Sequence, residues 1–204
     1  MIRNLDELIR YSEQVANSLP LIANKVRIVR IGSQPGIIAT LTQVLPRLPE
    51  SYLSVVESIA IDGISIGYFE LTPSASHTMS LVEKLQIYND PTFTPMFEYY
   101  QKHGVYQVAS WEADPICIVH TDGKFKVGQV VKYNIDTPAL APMVLADNFE
   151  QLMLIAGNLQ EISDKCDEFE KALNEFKTYL DSLLDGCRNE MELAWTRIAN
   201  VVLG

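Results

Sequence analysis

The sequence is short of glycine, histidine and cysteine, and each shortage removes a class of chemistry. Its 10 glycines form neither G-x-G-x-x-G nor G-x-x-x-x-G-K-[ST], so a glycine loop cradling phosphates is disfavoured. Its 3 histidines, His77, His103 and His120, fall in separate elements without H-x-H or H-E-x-x-H spacing. Cys117 and His120 stand three apart on an expected strand and so point to opposite faces; no metal centre is expected. No G-x-S-x-G, papain-like cysteine context or Ser/Lys pair supplies an activated nucleophile, and no cofactor is called for. Cys117 sits in an apolar run, where a packed, inert thiol is the ordinary state. The 3 cysteines, Cys117, Cys166 and Cys187, are odd in number and widely spaced, which fits free thiols in a reducing compartment. No stretch of about 18 uncharged apolar residues exists, so no membrane span is expected. Met1-Ile2-Arg3-Asn4-Leu5-Asp6-Glu7 lacks the basic start and apolar stretch of a secretory signal. The expected location is cytoplasmic.

Basic charge is also scarce. Lys and Arg number 16 against 26 Asp and Glu, a net charge of −10. Residues 1–48 are net +3, residues 49–159 net −8 and residues 160–204 net −5. A chain so charged repels nucleic acid and anionic lipid over most of its surface, which argues against both as partners. With 48% apolar and 21% charged residues it is nonetheless a folding, globular composition.

Local signals divide the chain. Asn4 followed by Glu7 is an N-cap with an acid at N3, opening a helix that turns Leu5, Leu8, Ile9 and Val15 inward. Val26–Ile31 reads as a strand. A helix starts at Ser33-Gln34-Pro35-Gly36 and stops before Pro46; another begins with Pro49 at N1 and runs to Asp62-Gly63. Residues 64–71 read as one strand, 76–88 as a helix, and 89–105 as an ordered loop with a helical piece near Met96–Gln101. Ile116–His120 and Phe125–Val131 flank Asp122-Gly123, the signature of a type I′ hairpin. Asp147-Asn148-Phe149-Glu150 opens a further helix. Ile162, Cys166, Phe169, Leu173, Phe176, Leu180, Leu183 and Cys187 then alternate spacings of 4 and 3, a heptad seam that fits one long helix or a hairpin hinged at Asp185-Gly186. The expected organisation is residues 1–35 as a helix and strand on the core, 36–160 as the main domain and 161–204 as a helical extension.

Three features carry candidate function. Glu112, Asp114 and Asp122 gather around the central hairpin, where they are a solvated rim, a contact patch for a basic partner, or an acid–base pair. Trp111 and the cluster Phe93, Phe97, Tyr99, Tyr100 and Tyr106 suit core packing or an interface. The seam, with Ile162, Phe169, Leu173, Phe176, Leu180 and Leu183 as its oligomerisation candidates, suits internal packing or pairing with a second copy or a partner helix.

The order of these pieces resembles a known family. Leu45-Pro46, then Leu48-Pro49-Glu50-Ser51-Tyr52, a helix stopping at Asp62-Gly63, and the strand Gly67–Leu71 come first. The hairpin Asp114-Pro115-Ile116-Cys117-Ile118, Asp122-Gly123 and Gly128-Gln129-Val130 follows, closing with Tyr133-Asn134-Ile135-Asp136 and Ala146-Asp147-Asn148-Phe149. Over about residues 36–160 this is similar to the SUKH superfamily (SMI/KNR-like), which takes in the fungal cell-wall synthesis regulators and the bacterial Syd protein. Asn148 stands where that pattern more often has Ser, and the segment 89–112 is longer. The resemblance implies an α+β fold, a mostly antiparallel sheet flanked by helices, and a binding protein without catalysis. Many bacterial members look like immunity proteins that neutralise a toxin, often a nuclease, by contact. Glu112, Asp114, Asp122, Asp136 and Trp111 are then the expected contact residues for a basic protein partner.

Overall fold

A computed structural model describes residues 1–73, 78–184 and 189–204. The chain begins with α1 (Leu5–Ser18), where the Asn4 side chain accepts the Glu7 N–H at 3.0 Å as the sequence requires. The Glu7 carboxylate reaches back to the Arg3 N–H at 2.8 Å, one residue beyond the cap. Helix α1 buries Leu8, Ser12 and Ala16. Ser12 is buried because its Oγ accepts the Ile28 N–H at 3.0 Å and fixes the chain as it returns.

A 3₁₀ turn at Pro20–Ile22 and α2 (Ala23–Val26) come first, so Val26, the start of the expected strand, is helical. Only β1 (Val29–Arg30) pairs, because its antiparallel partner β2 (Ile59–Ala60) is itself two residues long. Two helices intervene, α3 (Pro35–Val44) and α4 (Glu50–Ser58). Pro49 lies at the N-cap of α4 in an extended conformation, one position earlier than N1. The helix ends at Ser58 because Ile59 turns extended to enter β2, so Ile59 and Ala60 belong to a strand and not to the helix face.

The stretch 64–71 is a tight hairpin, not a single strand: β3 (Ser65–Ile66) and β4 (Phe69–Glu70) pair across Gly67-Tyr68. Gly67 is required there by its φ of 57°; a Cβ would also push aside the amide end of the Gln160 side chain, 2.3 Å away. Helix α5 (Leu81–Tyr88) begins at a full capping box between Ser80 and Glu83, and residues 76–77 of the expected helix lie outside the described residues. Helix α6 (Phe97–His103) follows, closed by Gly104 at φ 61°.

Four strands complete the main sheet: β5 (Val105–Trp111), β6 (Asp114–Val119), β7 (Val130–Lys132) and β8 (Met143–Ala146). The strand order β3-β4-β5-β6-β7-β8 is sequential and antiparallel throughout. The fold is therefore α+β, as expected from the sequence. Alternation along β6 sends Ile116 and Ile118 to the main core, Cys117 and Val119 to a second cluster on the opposite face. Tyr100 of α6 and Phe125 of the β6–β7 connection cover that second cluster.

The β6–β7 hairpin exists, but its Asp122-Gly123 turn is not a tight type I′ turn. Ile118 pairs with Val130, which leaves His120–Gln129 as a long connection, and the positive φ falls on Gly128 (92°) instead of Gly123. Burial of Phe125 draws the connection down onto the second cluster, and Asp122 accepts the Val127 N–H at 3.0 Å to hold it open. The tight two-residue turn lies one hairpin earlier, at Glu112-Ala113, where Trp111 pairs with Asp114.

Helix α7 (Phe149–Lys165) starts at Asn148, whose side chain accepts the Gln151 N–H at 2.8 Å. It ends at Cys166, which is extended, so the heptad seam does not run through one helix: Ile162 lies on α7 and Phe169 opens α8 (Phe169–Leu183). A third helix, α9 (Asn189–Val202), completes the chain. The hinge expected at Asp185-Gly186, and with it Cys187, lies outside the described residues. Phe176 of α8 and Phe69 of β4 lie 6.1 and 5.4 Å from Trp195 of α9. The Trp195 indole N–H donates to the Leu145 carbonyl of β8 at 2.7 Å. One apolar cluster thus runs from Ile2 to Ala199, drawing on residues 1–35, 36–160 and 161–204 alike. No helix among the described residues is long and apolar enough to cross a membrane.

Candidate functional site

The β5–β6 turn projects from one end of the sheet, and its geometry is costly. Glu112 sits at φ 53°, a region that L-residues other than Asn and Asp avoid by roughly 1–2 kcal/mol. Its N–H donates to the Tyr68 carbonyl at 3.4 Å, which ties the turn to the β3–β4 turn beside it. On the other side Asp114 Oδ1 accepts the Ile135 N–H at 2.9 Å and anchors the segment that follows β7. There the Asn134 side chain accepts the Asp136 and Thr137 N–H groups at 2.9 and 3.1 Å. Tyr68, Glu112, Ile135 and Asp136 are thereby brought to one end of the sheet, all four exposed, with Tyr68 at 51% and Ile135 at 48%.

Beneath them lies a buried ion pair. The Lys132 ammonium meets the Asp114 carboxylate and stands 4.6 Å above the Trp111 ring centroid. Lys132 is 5% exposed and Asp114 14%. A lysine so buried is tolerated because the carboxylate and the ring face both offset its lost hydration. Trp111 itself is 9% exposed and packs 6.5 Å from Phe69.

The expected contact residues therefore separate into groups. Glu112 and Asp136 are exposed at the same end of the sheet. Asp114 and Trp111 lie beneath that end and hold it together. Asp122 lies beyond the far end of β6, a six-residue strand that spans roughly 20 Å. Of the aromatic cluster, Tyr100 is buried, Phe97, Tyr99 and Tyr106 are half-buried, and Phe93 is exposed. Of the seam, Ile162, Phe176 and Leu180 are buried within this chain, Leu173 and Leu183 are half-buried, and Phe169 is exposed.

Cys117 is fully buried, which pushes its thiol well up and leaves little thiolate for nucleophilic chemistry. His103 and His120 line one cleft beyond the second cluster, whereas His77 lies outside the described residues. Among the described residues no group of three His, Cys, Asp or Glu side chains could hold a metal ion.

Tyr68 and Ile135 were missed in the sequence. Ile135 stands alone between Asn134 and Asp136 after the strand, an apolar residue in a polar turn, and that was the available signal. Tyr68 follows the turn glycine Gly67, within a stretch whose sequence reads as one strand. No family model matches the chain, and no curated protein or solved structure matches it either.

Proposed function

We propose that this chain is a non-enzymatic protein-binding module whose working surface is the Glu112 end of the sheet. The observation that carries it is the position of Glu112: an exposed carboxylate held at positive φ, where glycine would fit without strain, between exposed Tyr68 and Ile135. Strain retained at an exposed tip points to a use for that side chain outside the fold. Exposed Tyr68 and Ile135, on either side of the Glu112 turn, offer apolar contacts set among the carboxylates of Glu112 and Asp136.

The partner in this reading is a basic protein. The SUKH-like order of motifs makes a toxin, such as a nuclease, the leading class, and the chain an immunity protein that neutralises it. A nuclease surface is built to attract phosphate, and an acidic binder exploits the same field. The rival role, a regulatory scaffold or homodimer working through the C-terminal helices, has to use Phe169, Leu193 and Val201 on their exposed faces.

Affinity capture from native lysate tests the assignment, comparing the full-length protein with Glu112→Lys/Asp136→Lys. Both positions are exposed, so the variant folds. The reading expects a basic protein retained by the wild type, released at high salt and absent from the variant. Equal retention by both proteins removes the Glu112 end from the interface.

A further inference from the structure

The opposite end of the same sheet carries a cleft of about 580 Å³, lined by the end of α6, the β6–β7 connection and the end of α3. Lys102 and His103 enter it from α6, His120 and Lys124 from the connection. Arg47 stands outside the lining, in the turn after α3 that the Tyr106 hydroxyl ties to the wall by donating to the Pro46 carbonyl at 3.0 Å, and its charge reaches His120.

In a chain of net charge −10 this is a reversal of sign. Arg47, Lys102 and Lys124 have no ion-pair partner among the described residues. Among those residues the lining includes one carboxylate, Asp122, and its Oδ1 is already taken by the Val127 N–H. The Gly104 carbonyl at the end of α6 is likewise taken, by the N–H groups of His120 and Thr121 at 2.8 and 3.2 Å. Nδ1 of His103 meets the Tyr133 hydroxyl at 2.7 Å, and Nδ1 of His120 meets Thr121 Oγ1 at 2.9 Å. Nε2 of each ring has no hydrogen-bond partner among the described residues. His120 stacks on Tyr106 with centroids 3.9 Å apart.

The cations feel one another. Burial holds His103 below its ordinary value, and Lys102 and Lys124 add to the effect. Burial and then Arg47 do the same to His120. Arg47 also sits at φ 71°, a strained backbone that glycine would occupy freely.

We propose that this cleft binds a small phosphate-bearing anion, with Arg47, Lys102 and Lys124 neutralising its charge and the two Nε2 atoms hydrogen-bonding its oxygens. The limited volume of the cleft favours a compact ligand over a nucleic acid, which a chain of net charge −10 repels. The cleft and the Glu112 end lie at opposite ends of β5 and β6, so either assignment can fail without the other.

The test titrates the full-length protein with sodium pyrophosphate at constant ionic strength, following the imidazole Hε1 signals by NMR. Inorganic phosphate and AMP serve as parallel arms. Saturable movement of the His103 and His120 signals is expected. AMP binding more tightly than inorganic phosphate adds stacking on the Tyr106–His120 pair, and equal binding confines recognition to the phosphate group. Arg47→Gly should weaken pyrophosphate binding about tenfold while raising the melting temperature, and Lys124→Gln should weaken it comparably with no melting change. The proposal is overturned if no saturable shift occurs up to ~10 mM pyrophosphate, if sodium chloride reproduces the shifts, or if both variants bind as the wild type does.

Discussion

Replacing Glu112 by glycine should stabilise the protein, although it deletes a side chain. The left-handed backbone at φ 53° costs a residue of this kind about 1–2 kcal/mol, which glycine does not incur. Against that, glycine loses more backbone entropy on folding, about 0.5–1 kcal/mol. The Glu112 N–H to Tyr68 carbonyl bond involves only backbone and survives the change. No hydrogen bond or ion pair of the Glu112 carboxylate is lost, since it makes none among the described residues. The net gain is about 0.5–1 kcal/mol, or about 1–4 °C in melting temperature for a chain of this size. Equilibrium urea denaturation measures it as a rise in midpoint at unchanged slope. Glu112→Ala keeps the strain and serves as control, with a change within about 0.5 kcal/mol. A Glu112→Gly midpoint at or below that of the wild type refutes the strain, and with it the observation on which the proposed function stands.

Other substitutions separate contacts that look alike. Trp195→Phe leaves the Leu145 carbonyl without its donor and should cost about 1–2 kcal/mol more in urea than Trp111→Phe, whose indole N–H is buried without a partner. Asp114→Asn strands the Lys132 ammonium beneath the turn; a loss of about 3–5 kcal/mol is expected by the same assay, and a loss under about 1 kcal/mol would show the pair is not buried in solution. Both His103 and His120 are held below their ordinary values, so the unfolded chain binds more protons than the native one once pH falls through about 6.5. Stability contributed by their neutral forms is present above that value and declines as pH drops towards the native values. The decline should be shallower in His120→Asn, measured by urea midpoints between pH 7 and 5.

Helix starts were legible because their chemistry is local. Asn4 and Asn148 each accept the N–H three residues on, as their sequence neighbours announce. The turns were less legible, since turn chemistry competes with burial. Asp122-Gly123 has the residues of a tight hairpin, yet Phe125 sinks into the second cluster and opens the connection to ten residues, His120–Gln129. The tight turn sits at Glu112-Ala113, where no glycine marks it. Gly67 was readable as a strand glycine until the approach of Gln160 on α7 is known. The seam spacing was real, but extended Cys166 divides it between two helices, and its Phe176 meets Trp195 of α9, which in turn packs on Phe69 of β4. The acidic residues of the candidate surface were visible individually. Which of them share an end of the sheet follows from strand register, which sequence spacing does not encode: Asp122 separates from Glu112 by the length of β6.

The central claim is that the Glu112 end of the sheet is where a basic protein binds. The most direct measurement is the association rate of the captured partner with the wild type and with Glu112→Lys/Asp136→Lys, each at low and physiological salt. An acidic docking face predicts a wild-type rate that falls steeply with salt, and a variant rate at least about tenfold slower at low salt with little salt dependence left. Matching rates and matching salt dependence in the two proteins would contradict it.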